Sequence, residues 1–202
     1  MDVVVRDGML YVTISDGYNY KEGYKNGFKV VKLRPNTLGI VSEIRVGMNP
    51  TKLYKDDFNH VFVACQGNYG THAAEIWKID ENDEATSFAA ANLAAVDGHR
   101  IYLVRSTTDW TSGKTTVTYA VRDTRTGAAI ASNFGQVQPP VDPTSLAVDP
   151  HTKQIYIASR GTLDPKIRFT EPGTVSIYTP EGNFLHRYNV GIEPCSLLFL
   201  KK

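Results

Sequence analysis

Little in this sequence points to chemistry, and each scarcity excludes something. The 202 residues hold only two cysteines, Cys65 and Cys195. They lie far apart in no metal or redox spacing, which leaves them the role of small apolar side chains. Of the five histidines, His60, His99 and His151 precede short apolar runs, where packing or turn capping is expected. His186 falls inside a strand-like run, and His72 alone falls in a long loop; one histidine does not make a metal site. Charge of one sign is also missing. The net charge is +1, with Lys and Arg spread along the chain, so no footprint for nucleic acid or an anionic membrane surface is expected. The longest apolar runs, FAAANLAAV and SLLFL, are too short to span a bilayer. The opening MDVVVRDGMLYV reads straight into strand-like sequence, so no signal peptide is expected in the chain as it stands. A nucleophile elbow, a phosphate-binding glycine loop and clustered His and carboxylate are all lacking. The acidic run Asp80 to Glu84 has neither the spacing nor the glycine of a calcium loop and reads as a solvated turn. No catalytic residue, no metal site and no cofactor are expected.

What is present is a repeat. At 42% hydrophobic, the chain can bury an ordinary core. Apolar runs with an aromatic second residue recur as LYVTI, VFVAC, IYLVR and IYIAS, placing Tyr11, Phe62, Tyr102 and Tyr156 at intervals of 51, 40 and 54 residues. Around each lie an earlier apolar run, a tight polar turn, and two later runs separated by a second turn. Runs bounded by Gly, Pro, Asn and Asp read as strands. Each unit is therefore four short strands, A to D, in meander order. Self-similarity at this period, with runs apolar at nearly every position, predicts an all-β β-propeller of about four blades. The blades are expected at about 1–47, 48–89, 90–140 and 141–192 of a single propeller, with 193–202 as a closing strand. For the alanine-rich SFAAANLAAV, propensity alone would allow a helix; its place in the repeat argues for the end of strand D followed by strand A. Because CSLLFL repeats the start of a strand A after four complete units, the chain reads as part of a longer propeller.

The tetrapeptide YVTI, with the units GFKVVKLRPNTLGIVSEIRVGMNPTKL, QGNYGTHAAEIWKID and SGKTTVTYAVRDTRTG, resembles the YVTN and YncE-like β-propellers of bacterial surface lipoproteins. Nearly the whole chain is similar to the last four blades of a seven-bladed ring. The resemblance implies export to the cell surface or outer membrane. It also implies a non-enzymatic binding role, with a small-molecule ligand, cobalamin being the best understood case, or a TonB-dependent transporter as partner. Against that pattern, the signal, the lipid-anchor cysteine and the first blades are not expected within these 202 residues.

The B–C connections SDGYNYKEGYKNG, CQGNYGTHAA, RSTTDWTSGKT and SRGTLDPKIRFTEPG are all longer than a hairpin requires, a length that usually serves function. The link GQVQPPVDP is expected on the same face. Tyrosine and tryptophan give large contact area at low entropy cost, with a polar tip. The expected ligand-binding residues are Tyr18, Tyr20, Tyr24, Asn68, Tyr69, Trp110 and Arg160. The competing reading folds these aromatics back over their own blades. A protein-interaction scaffold on the same face is the alternative function; a propeller enzyme of lactonase or lyase type is the remote one, since fold alone does not decide chemistry.

Overall fold

Alternating short apolar runs and tight turns give an all-β chain. The computed structural model describes residues 1–68, 70–109, 111–164 and 166–200. Among these, the first sheet holds β1 (Val3–Arg6), β2 (Met9–Ile14), β3 (Lys29–Leu33) and β4 (Ile40–Arg45). The second holds β5 (Pro50–Lys55), β6 (Val61–Cys65), β7 (Glu75–Ile79) and β8 (Ala85–Ala89). The third holds β9 (Leu93–Asp97), β10 (Arg100–Thr108), β11 (Thr115–Asp123) and β12 (Ala129–Ile130). The fourth holds β13 (Pro143–Val148), β14 (Ile155–Ser159), β15 (Pro172–Tyr178) and β16 (Phe184–Ile192). Each sheet is an antiparallel meander in chain order, the blade of a β-propeller. The alanine-rich run is strand on both sides of Asn92, as its place in the repeat predicts.

Burial follows strand position. Every residue of β6 is buried, as is most of β14, because a B strand inside a blade is covered on both faces. The outer strands β4 and β16 are largely exposed. Three recurring aromatics, Tyr11, Phe62 and Tyr102, are fully buried, so the repeat's marker is a core position.

The chain divides into two compact units, residues 1–92 and 93–202. The first has a core of Tyr11, Val30, Leu53, Val61, Val63 and Ile79 with their neighbours. At its rim Arg6, only 2% exposed, lies under Tyr11. Its guanidinium donates to the Tyr11 hydroxyl at 2.6 and 3.1 Å, to the Asp80 carbonyl at 2.6 Å and to the Asp83 carboxylate. Tyr11 in turn donates to Asp83 at 2.6 Å, and Lys32 donates to its other oxygen at 2.7 Å. Burial opposes ionisation of Asp83, but hydrogen bonds from Lys32 and Tyr11 and the charge of Arg6 outweigh it and hold the carboxyl below its ordinary value. The acidic run is thus not simply a solvated turn. Asp80 caps it through the Asn82 and Glu84 amides, while Asp83 neutralises a buried arginine, as such a charge requires.

The second unit is centred on aromatic rings. Phe134, 2% exposed, meets Tyr102, Tyr119 and Tyr178 edge-on at centroid distances of 5.4, 5.5 and 6.2 Å. Edge-to-face packing is the favoured arrangement for such rings. The three hydroxyls donate to the carbonyls of Pro180, Pro140 and Gln138. This explains why the third sheet's D strand shrinks to Ala129–Ile130. The chain beyond it turns to bond the Glu181 carbonyl through Ser132 and Asn133, and Phe134 enters the core. The link GQVQPPVDP is bound down by the Tyr119 and Tyr178 hydroxyls and by Arg187.

One expected strand does not form. Cys195 to Leu200 is not a strand, Leu198 and Leu200 are exposed, and Phe199 only edges onto Tyr156 at 5.0 Å. A strand needs a neighbour to satisfy its amides, and among the described residues no sheet includes this segment.

Candidate functional site

The longest loop in the first unit is assembled by its own polar groups. Asp16 anchors it: the carbonyl accepts from Asn19 N at 2.9 Å and the carboxylate from Asn26 N at 3.1 Å. Asn19 O accepts from the Glu22 and Tyr24 amides, and Tyr24 O from the Gly27 amide. A single 3₁₀ turn, Tyr20–Glu22, closes on Gly23 in the left-handed region. This inward wiring leaves the rings outside. Tyr18 is 102% exposed and Tyr20 63%, so neither folds back over its blade. Tyr24 is half-buried, at a φ of 56°.

Asn49, 6% exposed, joins this loop to the next B–C connection. Its side-chain oxygen accepts from Asp16 N at 3.1 Å, and its side-chain nitrogen donates to Gly67 O at 2.9 Å. Its backbone N donates to Gly27 O at 2.6 Å, and its carbonyl accepts from Gln66 N at 3.0 Å. Every polar group of Asn49 is used, which is the condition for burying an amide. The approach is close enough to require glycine: a Cβ on Gly27 would lie 2.7 Å from the Asn49 side-chain oxygen. In the sequence this residue sits in the stretch GMNP, Gly47 to Pro50, just before β5 begins.

The predicted residues fall into three groups. Tyr18, Tyr20 and Tyr24 share the first loop. Asn68 belongs to the connection beside it, but its side chain is occupied there: the oxygen accepts from Gly70 N and His72 N, and the nitrogen donates to Thr71. This is a turn-forming asparagine. Nearby, the His72 ring meets Phe28 edge-on at 5.9 Å. Tyr69 and Trp110 lie outside the described residues. Arg160 belongs to the second unit, where its guanidinium is paired with Asp142 at 3.1 Å and Glu193 at 2.6 Å. Arg168 shares Asp142 at 2.8 Å, and the Phe169 ring, 55% exposed, is within 5.3 Å of both guanidinium carbons. Arg160 is therefore a structural cation under an aromatic ring. Among the described residues no three His, Cys, Asp or Glu side chains converge as metal ligands.

No family model matches the chain, and no curated protein does. Among solved structures it is similar to hydrazine synthase from Kuenenia stuttgartiensis, with a TM-score of 0.64 and 15% identity over 95% of this chain and 53% of that one. It is also similar to a quinoprotein alcohol dehydrogenase-like protein from Bacteroides thetaiotaomicron, with a TM-score of 0.57 and 12% identity over 94% of this chain and 45% of that one. Both are β-propellers, and the chain spans about half the length of each. At such identities the likeness speaks for the fold alone.

Proposed function

We propose that this chain is a non-catalytic binding propeller that takes a bulky, partly apolar ligand on its B–C loops, with Tyr18 and Tyr20 as the first contacts. One observation carries the reading. The loop from Ser15 to Gly27 is braced by bonds within itself and to Asn49, and it presents two tyrosine rings to solvent. Exposed rings on an ordered loop suit stacking against a flat surface, since little conformational freedom remains to be lost on binding. The similarity of the sequence to YVTN and YncE-like propellers supports the finer proposal: a protein of the bacterial surface that captures a corrinoid for an outer-membrane transporter. Cobalamin is then the first ligand to test.

The experiment is gel filtration of the protein with cyanocobalamin, followed by its visible absorbance. Co-elution is expected, with loss of colour in Tyr18→Ala and Tyr20→Ala while the circular dichroism spectrum stays unchanged. Colour retained in both variants would remove this loop from the site. No colour with the unsubstituted chain would remove cobalamin. It would leave the second reading, a protein partner, which the exposed Leu163, Ile167 and Phe169 of the loop before β15 favour.

A further inference from the structure

The third sheet carries a feature that the tyrosine loop does not use. β10 and β11 run beyond the core as a two-stranded ribbon, with Arg105 opposite Thr118 and Thr107 opposite Thr116. β12 pairs only with Val121 and Arg122, so no D strand accompanies the ribbon's outer part. Alternation sorts its side chains. Ser106, Thr108, Thr115 and Val117 face the half-buried side, where the Thr108 and Thr115 hydroxyls bond at 2.9 Å. Arg105, Thr107, Thr116 and Thr118 are exposed on the other side. There, with Asp109, Ser112 and Lys114 from the tip, they line a groove of about 470 Å³.

The groove sets two cations, Arg105 and Lys114, against one carboxylate, Asp109. Asp109 is occupied by its own turn, accepting from Thr111 N at 2.9 Å and the Ser112 hydroxyl at 2.6 Å. Arg105 and Lys114 have no ion-pair partner among the described residues. The three threonine hydroxyls that share the groove can each donate and accept. Among the described residues no aliphatic or aromatic side chain lines the groove, which disfavours a wholly apolar ligand. A lone phosphate or sulfate would fill a small part of a volume typical of small-molecule sites and leave the hydroxyls unused.

We infer that this groove binds an acidic oligosaccharide, with Arg105 and Lys114 taking carboxylates and Thr107, Thr116 and Thr118 taking ring hydroxyls. The occupant is a short chain of sugar rings bearing carboxylates. The inference is independent of the tyrosine loop, which belongs to the other unit.

Calorimetric titration of the 202-residue chain with trigalacturonate is the test. Neutral trigalactose and inorganic sulfate serve as controls. Trigalacturonate is expected to bind, and both controls to give no heat. Arg105→Gln and Lys114→Gln should each weaken binding about threefold, the scale of one exposed charge contact. The double variant Thr116→Val, Thr118→Val should weaken it by a similar factor, because the shape is kept and only hydroxyls are removed. All three leave the strands intact, checked by circular dichroism, and Tyr18→Ala should bind as the unsubstituted chain does. Absence of trigalacturonate binding would overturn the inference. So would equal binding in every variant, or a control ligand matching trigalacturonate.

Discussion

The corners at Asn49 and Asp142 are the same piece of backbone built twice with different chemistry. Each residue has a φ of 54°, precedes a proline and opens a strand with a shifted register. In each, the carbonyl accepts the amide of the residue just past strand B, Gln66 in one and Arg160 in the other. The preceding carbonyls, of Met48 and Val141, accept the next amides, of Gly67 and Gly161. The side chains then diverge. Asn49 closes its corner with neutral amide bonds. Asp142 closes its own by bridging Arg160 and Arg168. The repeat thus fixes a backbone demand, a left-handed residue before proline that Asn and Asp tolerate better than most. It leaves the choice of clasp to the local neighbours. The same division holds farther out: the first unit stores its buried charge at Arg6 and Asp83, the second fills its interior with Phe134.

The largest break in that contrast is Phe134→Ala. It empties a ring-sized space under three tyrosines and should cost about 4 kcal/mol, read from urea unfolding. A smaller loss would mean that the link collapses into the space. Next is Asp83→Asn, which leaves Arg6 buried without its counter-charge and should cost about 2 kcal/mol at neutral pH. This variant also carries a pH signature. The Asp83 carboxyl is held below its ordinary value of 3.8, so its contribution is complete above that value and lost as pH falls through the lower, folded one. Acid unfolding should accordingly be less steep in the variant. The smallest effects come from exchanging the corners. Asn49→Asp sets a carboxylate against the Gly67 carbonyl with no arginine to balance it, costing about 1–2 kcal/mol. Asp142→Asn should cost about 1 kcal/mol, and only this loss should shrink as salt is added. A salt response at Asn49 instead would break the comparison.

How far these features were legible depends on what each needed. The blades were readable because an aromatic at the second position of strand B and turns rich in Gly, Asp and Asn are local signals. CSLLFL is not a strand here because a strand's existence depends on a neighbour, and a run of apolar residues does not say whether one is there. The outward tyrosines were legible as a composition. The role of Asp83 was not, because it requires Arg6 from the end of β1, more than seventy residues away. Asn68 and Arg160 were singled out for their polar groups, yet the Asn68 oxygen is already engaged by His72 and Gly70, and the two terminal nitrogens of Arg160 by Asp142 and Glu193. Sequence shows which residues can bond, and only the fold shows which are still free to do so.

The Asn49–Pro50 corner also bears on how the protein ages. Asparagine deamidates when the next residue's backbone nitrogen attacks the side-chain carbonyl and closes a succinimide ring. Proline's nitrogen carries no hydrogen to lose in that step. The amide that knits two loops together is thereby placed before the one residue that blocks its commonest route of chemical decay. A stored sample should therefore gain negative charge elsewhere before it loses this clasp.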